Sequence, residues 1–353
     1  MIRNQKNTTI DLFKILYYNQ ENEQKEENAM KKILYILVAC TVLLTYITTT
    51  KNDNCIIVYS SMEQFRNDAL QKQLNEQFPD LDVYVMYMST AKAAAKLSIE
   101  GPGSDADIVV GLESAYMTKV EEHMVDVSSF SKLEYEDDMV VESGRYLIWE
   151  RQAGSIIVNK TILEKEGLPM PKTYEDLLNP VYKNYIAMPD PKSSGTGFFF
   201  FKNLVNVMGE DEAFAYIDEL AKNVKQFTES GSGPVKLLIQ GEIAVGLGLT
   251  FQGVNEFNNG NEFVLIEPEY GSPFSLTATS MLEGRQNDED IVRVFEFIAN
   301  DYMIYDKMYG SPEKVLKEQV NGVENYPKDI KYADMTGIDD IEEKERLLAK
   351  WKY

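Results

Sequence analysis

Short β-branched apolar runs alternate with amphipathic stretches along most of this chain, and that alternation limits the fold more than any other feature. Residues 56–59 read as a buried strand and residues 62–78 as a helix, with Phe65, Leu70, Leu74 and Phe78 at helical spacing. A strand over 81–88, an alanine-rich helix over 91–100 and a strand over 107–111 follow, and Glu113-Ser114 open the next helix. A second series gives strands at 146–149, 154–159, 185–189, 224–228 and 244–250, an extended run at 263–267, and helices at 174–178, 198–208, 211–222 and 234–240. Residues 277–282 are expected to return to the first sheet, 288–303 to form a strongly amphipathic helix, and the charged tail to end in a helix from 341. Strands alternating with helices mean an α/β fold with parallel neighbours.

The loops that end a strand and begin a helix are unusually rich in small hydroxyl residues and glycine. They are Ser60-Ser61, Ser89-Thr90, Ser193-Ser194-Gly195-Thr196-Gly197 and Ser230-Gly231-Ser232-Gly233. A helix N-terminus carries unpaired N–H groups and a partial positive charge. Serine and threonine add hydroxyl donors, and glycine lets backbone approach a ligand closely. In open α/β sheets such loops lie where ligands bind. Ser89-Thr90 alone is adequately explained as a cap. The two longer loops carry more hydroxyls and glycines than a cap requires, and several such ends converging would trap a small anion. Lys192, Lys202 and Lys236 lie nearby and read as solvated.

Composition narrows the classes of function. The 353 residues carry 57 Asp+Glu against 35 Lys+Arg, a formal net charge of −22, which argues against nucleic acid and anionic membrane surfaces as general partners. It does not argue against a small enclosed anion, which meets only local donors. The one histidine, His123, sits among acids and opposes a multi-histidine metal site. No metal and no cofactor is expected. Cys40 and Cys55 are too few for a disulfide framework. Gly101-Pro-Gly-Ser-Asp-Ala106 imitates a dinucleotide fingerprint but precedes its strand. Neither Gly-Lys-[Ser/Thr] nor Gly-x-Ser-x-Gly occurs, so nucleoside-triphosphatase and serine-hydrolase motifs are missing.

At the N-terminus, Met30-Lys31-Lys32 precedes a run of about 15 uncharged, mostly apolar residues and then polar Thr48–Asn54, the layout of an export signal. Residues 1–29 read as a non-native upstream extension and 30–53 as a signal peptide or membrane anchor. Leu37-Val38-Ala39-Cys40 is similar to a bacterial lipobox, making Cys40 a candidate lipid-attachment site. The 18 residues 33–50 are alternatively long enough to stay as an uncleaved span. Either way the remainder is expected outside the cytoplasm, periplasmic or at the cell surface, tethered to the membrane.

Several stretches, in this order, resemble the solute-binding proteins of bacterial ABC importers with the two-lobed type 2 periplasmic-binding fold. They are Ile-Val-Tyr-Ser-Ser (57–61), Ala-Asp-Ile-Val-Val-Gly-Leu-Glu (106–113), Gly-Ser-Ile-Ile-Val-Asn-Lys (154–160), Pro-Lys-Thr-Tyr-Glu-Asp-Leu-Leu-Asn-Pro (171–180), Asp-Pro-Lys-Ser-Ser-Gly-Thr-Gly (190–197) and Gln-Gly-Glu-Ile-Ala-Val-Gly (240–246). The resemblance implies two mixed sheets flanked by helices, with residues 54–152 plus 273–353 as lobe 1 and 153–272 as lobe 2, and hinges near 150–154 and 270–274. It implies a binding protein rather than an enzyme, monomeric, working with ABC permease subunits.

The nearest subgroup takes iron(III), thiamine, 2-aminoethylphosphonate or sugar phosphates. Thr250-Phe251-Gln252-Gly253 stands where ferric binders carry adjacent tyrosines, and Trp149 and Trp351 are few for a thiamine cage. A phosphonate or phosphorylated metabolite fits the serine-rich loops best. The ligand-contact set is therefore Ser60, Ser61, Glu113, Ser193, Ser194, Thr196, Ser230, Ser232 and Thr250, with Glu113 placed to meet an ammonium. Tyr59, Trp149 and Phe251 are candidate wall residues. A secreted phosphoester hydrolase and a ligand sensor are the competing readings.

Overall fold

The computed structural model describes residues 55–353. The expectations for 1–29, for 30–53 and for Cys40 lie outside the described residues. Among those described, no helix is long and apolar enough to cross a membrane.

The chain runs β1 (Cys55–Ser60), α1 (Gln64–Gln77), β2 (Asp82–Tyr87), α2 (Thr90–Glu100), β3 (Ile108–Glu113), α3 (Ser114–Val120) and β4 (Leu147–Asn159). Next come α4 (Lys160–Lys165), β5 (Ile186–Pro189), α5 (Gly195–Met208), α6 (Glu210–Leu220), β6 (Val224–Thr228), α7 (Gly233–Ile239), β7 (Val245–Leu249), α8 (Thr250–Asn258) and β8 (Phe263–Ile266). β9 (Phe274–Met281), α9 (Glu289–Phe297), a π-helical turn (Ile298–Tyr302), α10 (Met303–Tyr309) and α11 (Ile341–Lys350) complete it. The strands lie in the order β2-β1-β3-β9-β4-β7-β5-β6, with β8 also paired to β4. β1 is parallel to β3, and β5 is parallel to both β6 and β7.

β4 joins the two halves. Residues 146–149 and 154–159, expected as separate strands, form one strand of 13 residues. Its first half, Leu147 to Ala153, pairs antiparallel with β9. From Gly154 to Val158 it pairs instead with β7. Because one strand changes partners at Ala153/Gly154, the two sheets share a backbone but not a core. One core gathers Val58, Leu70, Val110, Trp149, Phe295 and Tyr302. The other gathers Ile156, Val158, Phe198 to Phe201, Leu247 and Phe251. The fold is the two-lobed, mixed α/β architecture of periplasmic binding proteins.

The tail departs from the division expected for it. Residues 273–353 were placed with lobe 1, and β9 does pair there. Yet Tyr326, Ala333, Ile338, Leu347, Leu348 and Trp351 are buried in the core of 156–254. Covering side chains of this size stabilises by about 2 kcal/mol each, more than a surface charge pair returns. The apolar stripe of α11, and not its charge, decides where it rests. α8 was also unexpected: Gly253 and two asparagines, Asn255 and Asn258, weaken its helical tendency. Packing overrides them, since a Cβ at Gly253 would stand 2.9 Å from Ile157 Cδ1.

Candidate functional site

Five strand-to-helix junctions open on a cleft between the two cores. A cavity of about 410 Å³ is bounded by Ser61, Glu63, Tyr87, Ser89 and Lys92 on one side and by Glu229, Ser230, Gly231, Ser232 and Lys236 on the other. A tighter inner recess of about 50 Å³ adds Glu113 and Gln152 from the first side and Ser193, Ser194, Gly195 and Thr196 from the second. A hollow of equal size between Leu133 and Ile304 receives none of these loops.

The second-lobe wall is made of helix ends and hydroxyls. Ser194 caps α5, its Oγ accepting from Gly197 N–H at 3.5 Å. Ser193 Oγ donates to Glu229 O at 2.8 Å, tying the two serine-rich loops together. Ser230 and Ser232 hydroxyls lie 3.1 Å apart. Gly231 is required, because a Cβ there would fall 2.3 Å from Thr196 Oγ1. Gly197 is required too, with a would-be Cβ 2.4 Å from Pro189 O. The glycines thus let two loops and a strand end close up around one recess.

The first-lobe wall is acidic. Glu113, at the end of β3, is 3% exposed and pairs with Lys344 of α11 through Oε2. Its Oε1 is buried with no hydrogen-bond partner among the described residues, as is Ser89 Oγ. Burial raises the Glu113 pKa and lowers that of Lys344, each opposed by the charge of the other. Gly195 lies against this acid, its would-be Cβ 3.2 Å from Glu113 Cγ. Glu63 is held up to about 7 by burial, against the pull of Arg66. Burial and the charges of Glu63 and Glu229 also raise the Tyr87 phenol.

Beneath Glu63 lies a buried charge network. Arg66 Nη1 meets Glu63 at 3.0 Å and Glu150 at 2.8 Å, while its Nε and Nη2 grip Asp306 at 2.8 and 2.6 Å. Glu150, on β4, accepts from Gln152 Nε2 at 2.8 Å and from Thr277 Oγ1 at 3.3 Å. Gln152 and Thr277 border the inner recess, so the network fixes the floor of the cleft.

The structure brings Ser61, Glu113, Ser193, Ser194, Thr196, Ser230 and Ser232 to this cleft. Ser60 and Thr250 do not border it. Ser60 Oγ donates to Asn67 Oδ1 at 2.6 Å and accepts from Met62 N–H, so it serves its own turn. Thr250 is buried with its hydroxyl 2.7 Å from that of Ser155. Tyr59, Trp149 and Phe251 are all core residues. Trp149 stacks on Tyr302, and Phe251 lies under the Arg66 guanidinium at 5.6 Å. Sequence reasoning missed Glu63, Tyr87, Gln152, Glu229, Thr277 and Lys344. Only Tyr87 left a signal, as a large side chain ending a strand just before a hydroxyl loop.

A family model for bacterial extracellular solute-binding proteins matches residues 105–330. The chain belongs to that family. The family is extracytoplasmic, and its members bind small ligands and work with ABC permeases. A curated relative, an uncharacterized protein of Haemophilus influenzae, is 35% identical over 131 residues, 37% of this chain and 38% of the relative. The match thus spans well under half of that relative's length. Among solved structures, the periplasmic binding protein AfuA from Actinobacillus pleuropneumoniae, with exogenous fructose-6-phosphate bound, has a TM-score of 0.69 at 21% identity, covering 85% of this chain and 98% of that one. A periplasmic thiamin binding protein has a TM-score of 0.70 at 15% identity, covering 84% and 95%. A ferric binding protein from Campylobacter jejuni has a TM-score of 0.64 at 15% identity, covering 84% and 98%. At these identities the likeness is one of fold.

Proposed function

We propose that this solute-binding protein captures a small phosphorylated ligand, a phosphonate or phosphorylated metabolite, in the interlobe cleft and presents it to an ABC permease. It does so from the outer face of the membrane, to which its N-terminal segment tethers it. One observation carries the reading: the capped N-terminus of α5 and the hydroxyl loops Ser193–Thr196 and Ser230–Ser232 face two buried oxygens, Glu113 Oε1 and Ser89 Oγ, that have no partner among the described residues. The helix end and hydroxyls suit a phosphoryl group. The two orphan oxygens suit hydroxyl or ammonium groups on the rest of the ligand.

Two features weigh against the alternatives. Thr250 and Phe251, at the place where ferric binders carry tyrosines, are buried in the second lobe and not on the cleft wall. For a hydrolase, Ser194 makes no hydrogen bond to a basic group among the described residues: its hydroxyl caps a helix, and His123 lies beside Gly101, 3.3 Å from that residue's would-be Cβ and away from the cleft.

A thermal-shift panel tests the reading, using 2-aminoethylphosphonate, hexose phosphates, glycerol phosphates, inorganic phosphate, thiamine and iron(III). A ligand at 100 times its dissociation constant stabilises by about 2.7 kcal/mol. A shift with one or more phosphorylated compounds is expected. A shift with iron(III) or thiamine alone overturns the assignment.

A further inference from the structure

α11 belongs to one lobe by its packing and reaches the other by its charges. Leu347, Leu348 and the following Trp351 are buried in the second core. On the same lobe, Glu343 pairs with Lys202 at 2.6 Å and Arg346 with Glu210 at 2.7 Å. Towards the first lobe the same segment makes three contacts: Lys344 with Glu113, Asp339 with the Ser114 hydroxyl, and Glu345 with Lys119. Lys344 is the buried one. Its ammonium lies 4.3 Å from the ring centroid of Tyr116, in the first lobe, and 4.4 Å from that of Phe198, in the second.

We propose that the C-terminal helix is a clasp, and that its Lys344–Glu113 pair resists opening of the cleft. The lobes share the strand β4, whose change of partners at Ala153/Gly154 gives them a place to turn. Turning them apart must either draw Lys344 away from Glu113 or peel α11 off its own core. Stripping the partner from a buried charge is the most unfavourable step in such a motion. The two outer contacts, Lys119–Glu345 and Lys92–Glu229, are solvent-exposed and hold weakly. The clasp and the ligand also meet at one carboxylate: Glu113 gives Oε2 to Lys344 and keeps Oε1 for the cleft. That last link rests on the proposed binding function; the clasp itself does not.

Hydrogen exchange on the full-length, ligand-free chain tests the clasp. The loops at 88–91 and 229–233 lie on the cleft, and no hydrogen bond or ion pair joins either to α11 among the described residues. Thr90 Oγ1 accepts from Glu113 N–H at 3.1 Å, so the loop at 229–233 is the stricter reporter. In Lys344→Met these loops should exchange about fivefold faster or more, as should 111–116. Because that variant leaves Glu113 buried and unpaired, Glu113→Gln/Lys344→Met provides a neutral pair of similar volume, and it should show the same acceleration. Lys350→Ala, which removes a contact to Glu210 within the second lobe, should leave the cleft loops unchanged. Acceleration confined to 111–120 and 341–350, or none in the double variant, overturns the proposal. The measurement uses no ligand, so a panel in which nothing binds would fail the proposed function and leave this result standing.

Discussion

The two walls of the cleft are built from the same element, a strand end running into a helix, yet they carry opposite chemistry. The second-lobe wall offers the N-terminus of α5, the hydroxyls of Ser193, Ser194, Thr196, Ser230 and Ser232, and glycines that let them crowd together. The first-lobe wall offers Glu63, Glu113, Tyr87 and Ser89, backed by Arg66 and Lys344. One wall is a set of donors that needs an anion. The other sets two carboxylates among the Tyr87 and Ser89 hydroxyls, which can accept as well as donate, and those carboxylates repel an anion on their own. A ligand that satisfies both has a phosphoryl group at one end and hydrogen-bond donors at the other. On the proposed function, this division of labour lets a chain of net charge −22 hold an anion.

The comparison breaks most visibly if the second-lobe wall is not set by glycine. Gly197→Ala should destabilise by about 3 kcal/mol, because its Cβ would meet the backbone oxygen of Pro189, which has no room to move. Denaturant unfolding checks this, and a change under about 1 kcal/mol would mean that the loop has slack. Next in size is a pH effect peculiar to the first-lobe wall. The Glu63 pKa is raised from 4.5 to about 7 by burial. The unfolded chain therefore ionises this group first, and stability falls as pH rises from about 4.5 to about 7. The contribution is on the order of 3 kcal/mol. Glu63→Gln should flatten that decline in thermal melts taken across the window.

These two effects also mark what could be read from the sequence and what could not. The second-lobe loops were legible because their signal is local: Ser193 to Gly197 and Ser230 to Gly233 are contiguous, and each sits between a clear strand and a clear helix. The alternation itself was enough for the sheet and most of its helices. The first-lobe acids were opaque because their roles depend on distant partners. Arg66 and Asp306 are 240 residues apart, and Glu113 and Lys344 are 231 apart. No periodicity announces such pairs. The tail misled for the same reason: it was assigned to lobe 1 with β9, whereas Leu347, Leu348 and Trp351 draw it into the second core. Ser60 and Ser61 show the limit of reading loops at all. They are adjacent and alike, yet one serves its own turn and the other borders the cleft.

The smallest stability effects separate the walls most cleanly. Ser194→Ala removes a cap as well as a cleft hydroxyl, so it should cost about 1 kcal/mol of stability and also weaken binding. Ser89→Ala deletes a buried hydroxyl that makes no hydrogen bond among the described residues, so its stability should stay within about 0.5 kcal/mol of wild type. If the first-lobe wall reads the ligand, affinity should nonetheless fall by about tenfold, one hydrogen bond's worth. Loss of stability without loss of affinity would make Ser89 a packing residue.

The central claim is that helix-end and hydroxyl donors, and not nearby lysines, hold the anionic group. Calorimetric titration of the strongest phosphorylated stabiliser into Ser194→Ala/Thr196→Ala and into Lys92→Ala/Lys236→Ala compares the two directly. The hydroxyl pair should lose affinity by about 100-fold, near 1.4 kcal/mol per donor, while the lysine pair loses less than about fivefold. A larger loss from the lysines, steepening at low salt, would mean that long-range charge does the holding, and the donor wall would no longer explain the site.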